Sequence, residues 1–331
     1  MKQTIALITG GYSGEAVISY KSAQCIASHI DQERWDCYLI DIHPDGWHYL
    51  SPAGEKIWVD KNDFSITVNG QKIVFAAVLV GLHGTPGEDG KLQGYFDMLK
   101  IPYTSCDCTT SALTFNKRYT VAVAAMAGVH VAKSLHLFNT APMGSEAILA
   151  QLRLPVFVKP NNGGSSIGMS KVNEAGELDA AIAKAFKEDS QVLIEEFIEG
   201  REFSIGVFKH KGQIVTLPIT EIISKKEFFD YEAKYQGASE EITPAHLDEN
   251  MAEQIRATAK KVYEVFKCGG VVRIDFIYHQ ASGHPFMLEI NTVPGQTDAS
   301  LVPQQIRAMG WTQQQFYSAL LDECLQDAKR S

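Results

Sequence analysis

The stretch VKPNNGGSSIGMSKV, Val158 to Val172, places a lysine, a proline, two adjacent glycines and two adjacent serines between strand-like flanks. That composition suits a loop wrapping phosphate. A P-loop requires a strand, then GxxxxGK[ST], then a helix whose N–H groups face the phosphate. Here the lysine precedes the glycines, and both flanks, PVFVKP and IGMSKV, alternate as strands. The glycines and serines therefore cap a hairpin. Such a tip still offers backbone N–H groups in a concave nest and can close over phosphates as a flap. A second segment, GTPGEDGK from Gly84, has the wrong spacing for a P-loop and carries Leu92 where Ser or Thr is needed.

A second informative stretch is VVRIDFIYHQASGHPFMLEINTVPGQT, Val271 to Thr297. Side chains at i and i+2 of a strand share a face, so Arg273 pairs with Asp275 and Glu289 with Asn291. A hairpin turning near Ser282 sets Asp275 opposite Glu289 and Arg273 opposite Asn291. Facing carboxylates repel unless cations sit between them. Asp, Glu and Asn offer only oxygen, the ligand set of Mg²⁺ shared with nucleotide phosphates. Arg273 is left to stabilise developing negative charge. The competing reading is a solvated hairpin with surface ion pairs. The apolar Val271, Val272, Ile274, Phe276 and Leu288 speak against it, because buried charges need partners.

Outside these stretches the chain has the composition of a globular protein. It has 331 residues, 45% hydrophobic and 21% charged, enough for two or three domains. The net charge of −9 argues against nucleic acid or an anionic membrane as partner, since both need a basic face. No apolar run is long enough for a signal peptide or a membrane span, which points to a soluble, cytoplasmic protein. Six scattered cysteines without a CxxC pair read as reduced thiols.

The first hundred residues alternate strand and helix. TIALITGG, WDCYLIDI and FAAVLVGLHG read as strands, with a helix over SYKSAQCIASHI. This rhythm implies a parallel, Rossmann-like sheet with its site at the strands' C-terminal ends. A GxGxxG fingerprint is missing, which weakens a dinucleotide reading. One helix is expected from Ser111 to Gly128, then strands over VHVAKS, LPVFVKP and SIGMSKV. An amphipathic helix NEAGELDAAIAKAFKED and a strand QVLIEEFIEG follow. EFSIGVF, QIVTLPITEI, GVVRIDFIYH and HPFMLEINT read as a mostly antiparallel sheet. The helix between them buries Leu247, Met251, Ile255, Val262 and Phe266 on one face. KYQGASEEITPAH, from Lys234, lacks periodicity and reads as a lid loop. The last helix opens on a Thr-x-x-Gln capping box.

A glycine flap, an oxygen metal site and a Rossmann-like first domain together resemble the ATP-grasp superfamily, and within it the D-alanine–D-alanine ligase family. The resemblance rests on GGYSGEAVISYKSA (10–23), HGTPGEDGKLQG (83–94), TTSALTFNK (109–117), VKPNNGGSSIGMSKV (158–172), IEEFIEGREFS (194–204), FFDYEAKY (228–235), RIDF (273–276) and EINTVPGQTDASLVP (289–303). It implies an α/β and α+β fold in three parts. These are a Rossmann-like domain over 1–112, a central ATP-grasp subdomain with the flap over 113–197, and a C-terminal subdomain with lid and metal site over 198–331.

The resemblance also implies a reaction. One D-alanine carboxylate attacks the γ-phosphate of ATP, and the amine of a second D-alanine attacks the resulting acyl phosphate, giving D-alanyl-D-alanine for peptidoglycan. It implies Lys117, Lys159 and the lid's Lys234 at the phosphates, Glu195 and the Ile198 backbone at adenine, and Glu202 at the ribose. Asp275, Glu289 and Asn291 hold two Mg²⁺ ions, with Mn²⁺ as the alternative. Arg273 and the Gly295 N–H form the oxyanion site. Glu15 anchors the first substrate's ammonium beside His83. Ser300 and the Leu301 backbone take the second substrate's carboxylate. Ser165, Tyr235 and Glu15 latch flap to lid, and Tyr235 points to D-alanine as second substrate. Glu196 departs from relatives that carry lysine beside adenine. A homodimer is also implied. The rivals are a ligase using D-lactate or D-serine second, and a non-catalytic ATP-binding module.

Overall fold

The computed structural model describes residues 2–164, 167–224 and 239–329. Its backbone gathers into three principal sheets, one for each stretch of chain. The first holds β1 (Gln3–Gly10), β2 (Trp35–His43), β3 (Gly46–Leu50), β4 (Lys56–Trp58) and β7 (Ala77–Val80), in the order β4-β3-β2-β1-β7. A two-stranded ribbon, β5 (Ile66–Val68) and β6 (Gln71–Ile73), lies between β4 and β7 in sequence. β1 runs parallel to both β2 and β7, as the βαβ rhythm requires, while β3 and β4 add an antiparallel edge. Residues Ile5 to Ile8 of β1 are fully buried because both faces are covered. Ile5 and Leu7 pack with Ala23 and Ile26 of α1 (Ala16–Ser28) and with Phe316, Tyr317 and Leu320. Ala6 and Ile8 meet Phe64 and Phe96 on the other side. The chain order reverses between β2 and β7 on either side of β1. The loops leaving β1 and β7 therefore open at a switch point, where such sheets bind ligands.

The linking segment differs from the single helix expected between Ser111 and Gly128. After α2 (Lys91–Leu99) come two helices, α3 (Cys108–Phe115) and α4 (Lys117–Met126), broken at Asn116. Asn116 is extended, with φ −94° and ψ 104°, and its side chain accepts from the Tyr119 N–H to cap α4. Asn competes with the helix for backbone partners and favours such a start.

The second sheet contains β8 (Ser134–Phe138), β9 (Val156–Pro160), β10 (Ser170–Val172) and β11 (Gln191–Glu196) in the order β10-β9-β11-β8. The expected strand over VHVAKS is displaced. His130 makes only an isolated bridge to Phe286, and the strand begins at Ser134. β9 and β10 form the predicted flap hairpin, with Ser170 opposite Val158. Short α5 (Ser145–Leu149) and α6 (Leu178–Ala185) cover the sheet through Ile148, Leu178, Ala181 and Ala185.

The third sheet joins β12 (Gly200–His210), β13 (Gln213–Thr216), β14 (Thr220–Ser224), β15 (Ser239–Ile242), β16 (Val271–His279) and β17 (His284–Asn291). QIVTLPITEI, read as one strand, is divided into β13 and β14, both pairing with β12. Part of the expected lid loop, Ser239–Ile242, is β15 and pairs with β14. α7 (Glu249–Val265) buries Ile255 and Val262 as its spacing demands, with Leu247, Met251 and Phe266 on the same core. The C-terminal helices are α8 (Leu301–Ala308) and α9 (Gln313–Ala328). α9 begins with the predicted capping box, Gln315 N–H to Thr312 Oγ1 at 3.1 Å and Thr312 N–H to Gln315 Oε1 at 2.9 Å. Phe316, Tyr317 and Leu320 from α9 share one core with β1 and with Phe208 and Val271. The end of the chain thus cements the third sheet to the first.

Candidate active site

The β16–β17 hairpin carries the centre of the site. Its register places Asp275 opposite Glu289 and Arg273 opposite Asn291, the arrangement read from the sequence. The turn alone would not do this. From the turn inward, His279 faces His284, Ile277 faces Phe286 and Phe276 faces Met287. Continued unbroken, that register would set Asp275 against Leu288. A β-bulge at Leu288 shifts it by one residue and brings Glu289 and Asn291 to the face of Asp275 and Arg273.

Arg273 grips Asp275 with two nitrogens, Nε to Oδ1 at 3.0 Å and a terminal nitrogen to Oδ2 at 2.8 Å. The same terminal nitrogen lies 3.9 Å from Glu289 Oε1. Ser204 on neighbouring β12 donates to Asp275 Oδ1 at 2.6 Å and is fully buried. Asn291 Oδ1 is buried with no hydrogen-bond partner. A buried amide oxygen left unpaired is costly, and a hard cation between it and the two carboxylates satisfies it. Among the described residues no three His, Cys, Asp or Glu side chains gather to hold a metal. The third oxygen here is an amide, so the donor set fits Mg²⁺ rather than zinc.

The second sheet supplies cations. Lys159 lies near the end of β9 and reaches Glu195 Oε2 of β11 at 2.5 Å. Burial by itself would depress the Lys159 pKa; the charges of Glu195, Glu289 and Glu202 outweigh it and hold the pKa above the ordinary lysine value. Lys117, the first residue of α4, donates to the Gly163 carbonyl of the flap at 2.6 Å. Asn161, fully buried, accepts from the Lys117 N–H at its carbonyl and from the Arg118 N–H at Oδ1, fixing the start of α4 against the flap. The sequence reading missed Asn161 and Ser204. Both are small polar residues on strands or turns, and nothing local marks them as partners of distant groups.

The first sheet brings Glu15 and His83 from the loops at the switch point. A Cβ on Gly164 of the flap would lie 2.7 Å from Glu15 Oε1, and one on Gly84 would collide with Glu15 Oε2. Glu15 is thus enclosed by two glycine backbones. His83 is 6% exposed, and its Nε2 lies 2.8 Å from Ser22 Oγ. Burial, with the nearby Arg273 charge, pulls the His83 pKa down to about 4, so the ring is neutral at pH 7. Ser300 precedes α8, and its Oγ bonds the Thr297 N–H at 3.1 Å instead of capping the helix. The first N–H groups of α8, from Leu301 on, are left open to a ligand. A Cβ on Gly295 would come within 2.8 Å of Ser300 Oγ, so only glycine lets the two segments approach.

These groups surround one cleft of about 880 Å³. Glu15 and His83 enter from the first sheet; Lys117, Lys159, Glu195 and Ile198 from the second unit and its exit; Glu202, Arg273, Asp275, Glu289, Asn291, Gly295, Ser300 and Leu301 from the third. Phe157, Ile222 and Leu288 provide apolar wall. Glu196 also borders the cleft, but its Oε1 accepts from the Arg153 N–H at 2.9 Å. Ser165, Lys234 and Tyr235 lie outside the described residues.

A glycine-tipped hairpin on one sheet, a cluster of side-chain oxygens on a second and a cleft between them are the architecture of the ATP-grasp ligases, the class to which this fold belongs. Two family profiles match the chain, one described as D-ala D-ala ligase N-terminus over residues 4–106 and one as D-ala D-ala ligase C-terminus over 117–322. The chain belongs to the D-alanine–D-alanine ligase family. It is 44% identical to the D-alanine–D-alanine ligase of Parabacteroides distasonis over 329 residues, 99% of each chain. It is 45% identical to that of Phocaeicola vulgatus over 310 residues, 94% of this chain and 95% of the relative. Among solved structures it resembles the D-Ala:D-Ser ligase of Enterococcus faecalis with a TM-score of 0.87 and 31% identity, covering 98% of this chain and 100% of that one. It resembles the Bacillus anthracis D-alanine–D-alanine ligase complexed with ATP with a TM-score of 0.80 and 25% identity, covering 99% of both.

Proposed function

We propose that this chain joins two D-alanines into D-alanyl-D-alanine, using ATP, for peptidoglycan precursor synthesis. The observation that carries the reading is the bulged hairpin. It aligns Arg273, Asp275, Glu289 and Asn291 on the floor of a cleft that also receives Glu15 and His83. The D-alanine carboxylate attacks the γ-phosphorus, the bond to ADP breaks, and an acyl phosphate forms. The second D-alanine's amine, freed of its proton, attacks the acyl carbon, and phosphate leaves. Phosphoryl transfer needs mainly positioning and charge neutralisation.

Lys117 and Lys159 face the phosphates together with the lid's Lys234. Glu195 and the Ile198 backbone border adenine, and Glu202 holds the ribose. Asp275, Glu289 and Asn291 would hold Mg²⁺, for which Mn²⁺ is the alternative; when bound, it neutralises phosphate charge. Arg273 and the Gly295 N–H receive the oxyanion. Glu15, beside neutral His83, binds the first ammonium. Ser300 and the Leu301 N–H take the second carboxylate at the open end of α8. Ser165, Tyr235 and Glu15 latch flap to lid.

We place the domain limits at 1–112, 113–197 and 198–331, in step with the three sheets; the first limit falls inside α3. The family resemblance supports a homodimer working in the cytoplasm, and no helix among the described residues is long and apolar enough to cross a membrane.

The likeness to a D-Ala:D-Ser ligase makes the second substrate the point to test. Purified protein with ATP, Mg²⁺ and D-alanine, with and without D-serine or D-lactate, should release phosphate and yield mainly the dipeptide by mass. No D-alanine-dependent phosphate release overturns the reading. Tyr235→Phe should raise the share of mixed products; unchanged ratios count against the latch.

A further inference from the structure

The first-substrate pocket contains another acid. Glu88 lies four residues beyond Gly84, and its side chain folds back to border the cleft beside Glu15 and His83. The Gly84 N–H donates to Glu88 Oε2 at 2.6 Å and the Val293 N–H donates to Oε1 at 3.3 Å. Glu15 reaches the same residue from the other side, since a Cβ on Gly84 would collide with Glu15 Oε2. Gly84 has φ +69° and no Cβ, and so admits two carboxyls. Each Glu88 oxygen accepts one amide bond and keeps a further lone pair for a donor.

We propose that Glu88 is a second partner, with Glu15, for the ammonium of the first D-alanine. The proposal rests on the reading of Glu15 and His83 as that substrate's pocket. Two carboxyls brought together out of water are unfavourable until a cation joins them, and a primary ammonium has donors for both. The charged and titratable groups facing Glu88 are Glu15 on the loop after β1, Arg273 on β16 and, bordering the same cleft, His83. Burial, reinforced by the Glu15 charge, pushes the Glu88 carboxyl up to about 8 despite the two amide bonds and Arg273. At neutral pH the crowded Glu15–Glu88 pair therefore keeps a proton, which we assign to Glu88. When the ammonium arrives, the Glu88 O–H bond breaks, the proton passes to solvent, and the carboxylate accepts an ammonium N–H.

Proton release is the readout that a merely structural glutamate would not give. D-alanine is titrated calorimetrically into the enzyme with Mg²⁺ and an ATP analogue whose γ-phosphate cannot transfer, in buffers of different ionisation enthalpy, from pH 6.5 to 9.5. A release approaching about one proton per site is expected near pH 7, fading toward zero above pH 9. Glu88→Gln should bind D-alanine about 10-fold more weakly and release none. A wild-type enzyme that binds D-alanine without releasing a proton overturns the proposal, as does equal release from Glu88→Gln. If that variant fails to fold, the wild-type pH series decides alone, because a release that stays level through pH 8 also overturns it. Absent D-alanine binding together with absent phosphate release sinks the ligase reading and this proposal with it.

Discussion

At Asp275 Ser204 claims one oxygen and Arg273 both, while Asn291 Oδ1 on the facing strand is buried without a hydrogen-bond partner, which is the opening for the cation we propose with Asp275 and Glu289. Glu289 is the most open of these, at 39% side-chain exposure, so its charge serves the site more than the fold. Glu289→Gln should fold normally, by circular dichroism and melting, while turnover falls on the order of 100-fold or more. Ser204→Ala removes the donor that orients Asp275, and Mn²⁺ affinity by electron paramagnetic resonance should drop about 10- to 100-fold. Ser204→Thr, which keeps the hydroxyl, should restore it.

His83 and Glu88 give stability opposite pH slopes. The His83 pKa is lowered from 6.5 to about 4, so the unfolded chain binds the extra proton and stability is lost as pH falls below 6.5. The Glu88 pKa is raised from 4.5 to about 8, so its contribution is full below 4.5 and is lost as pH rises through 8. Between 6.5 and 8 only the second of these slopes operates. Urea unfolding of the wild type should therefore show a decline over that window which Glu88→Gln removes.

At the scale of elements the decisive feature is one extra residue. Leu288 turns the end of β17 over, so that a hairpin whose turn specifies one register presents the residues of the other. Deleting Leu288 should remove the bulge yet leave Glu289 opposite Asp275 and Asn291 opposite Arg273, so Mn²⁺ binding should survive, whereas inserting one residue after Leu288 should turn both side chains to the opposite face and abolish it. The loops matter in the same way. Gly84→Ala would strain a φ of +69° and drive a methyl into Glu15. It should raise the KM for the first D-alanine more than it lowers kcat; a KM left at the wild-type value would refute the pocket. The same-face pairs Arg273 with Asp275 and Glu289 with Asn291 were legible because strand periodicity is local, whereas the bulge that sets one pair against the other was not. The break at Asn116 was not, since a run rich in alanine reads as continuous helix until one side chain caps its own backbone.

Across the whole molecule, the cleft exists only where three sheets converge. None of them alone brings Lys117 and Lys159 together with the oxygens of Asp275, Glu289 and Asn291. α9 joins the first and third sheets through Phe316, Tyr317 and Leu320, so a ligand in the cleft stabilises the assembled protein. Mg²⁺ with ATP at about 100 times its dissociation constant should add about 2.7 kcal/mol to unfolding, seen as a raised melting temperature that chelation of Mg²⁺ removes.

Glycine placement, strand alternation and helical spacing are short-range properties, and they sufficed to define the flap hairpin, the parallel centre of the first sheet, the antiparallel third sheet and the set Arg273, Asp275, Glu289 and Asn291; the other candidate residues came from the family resemblance. What depends on distant contacts was decided only in three dimensions. Glu88 stood in a discarded phosphate-loop lookalike, and its backbone partners, Gly84 and Val293, are 209 residues apart. Asn161, Ser204 and the Leu288 bulge are likewise meaningful only against the groups they meet. Local sequence sets which conformations a segment prefers. Burial sets which polar atoms must find partners, and those partners were supplied by other sheets.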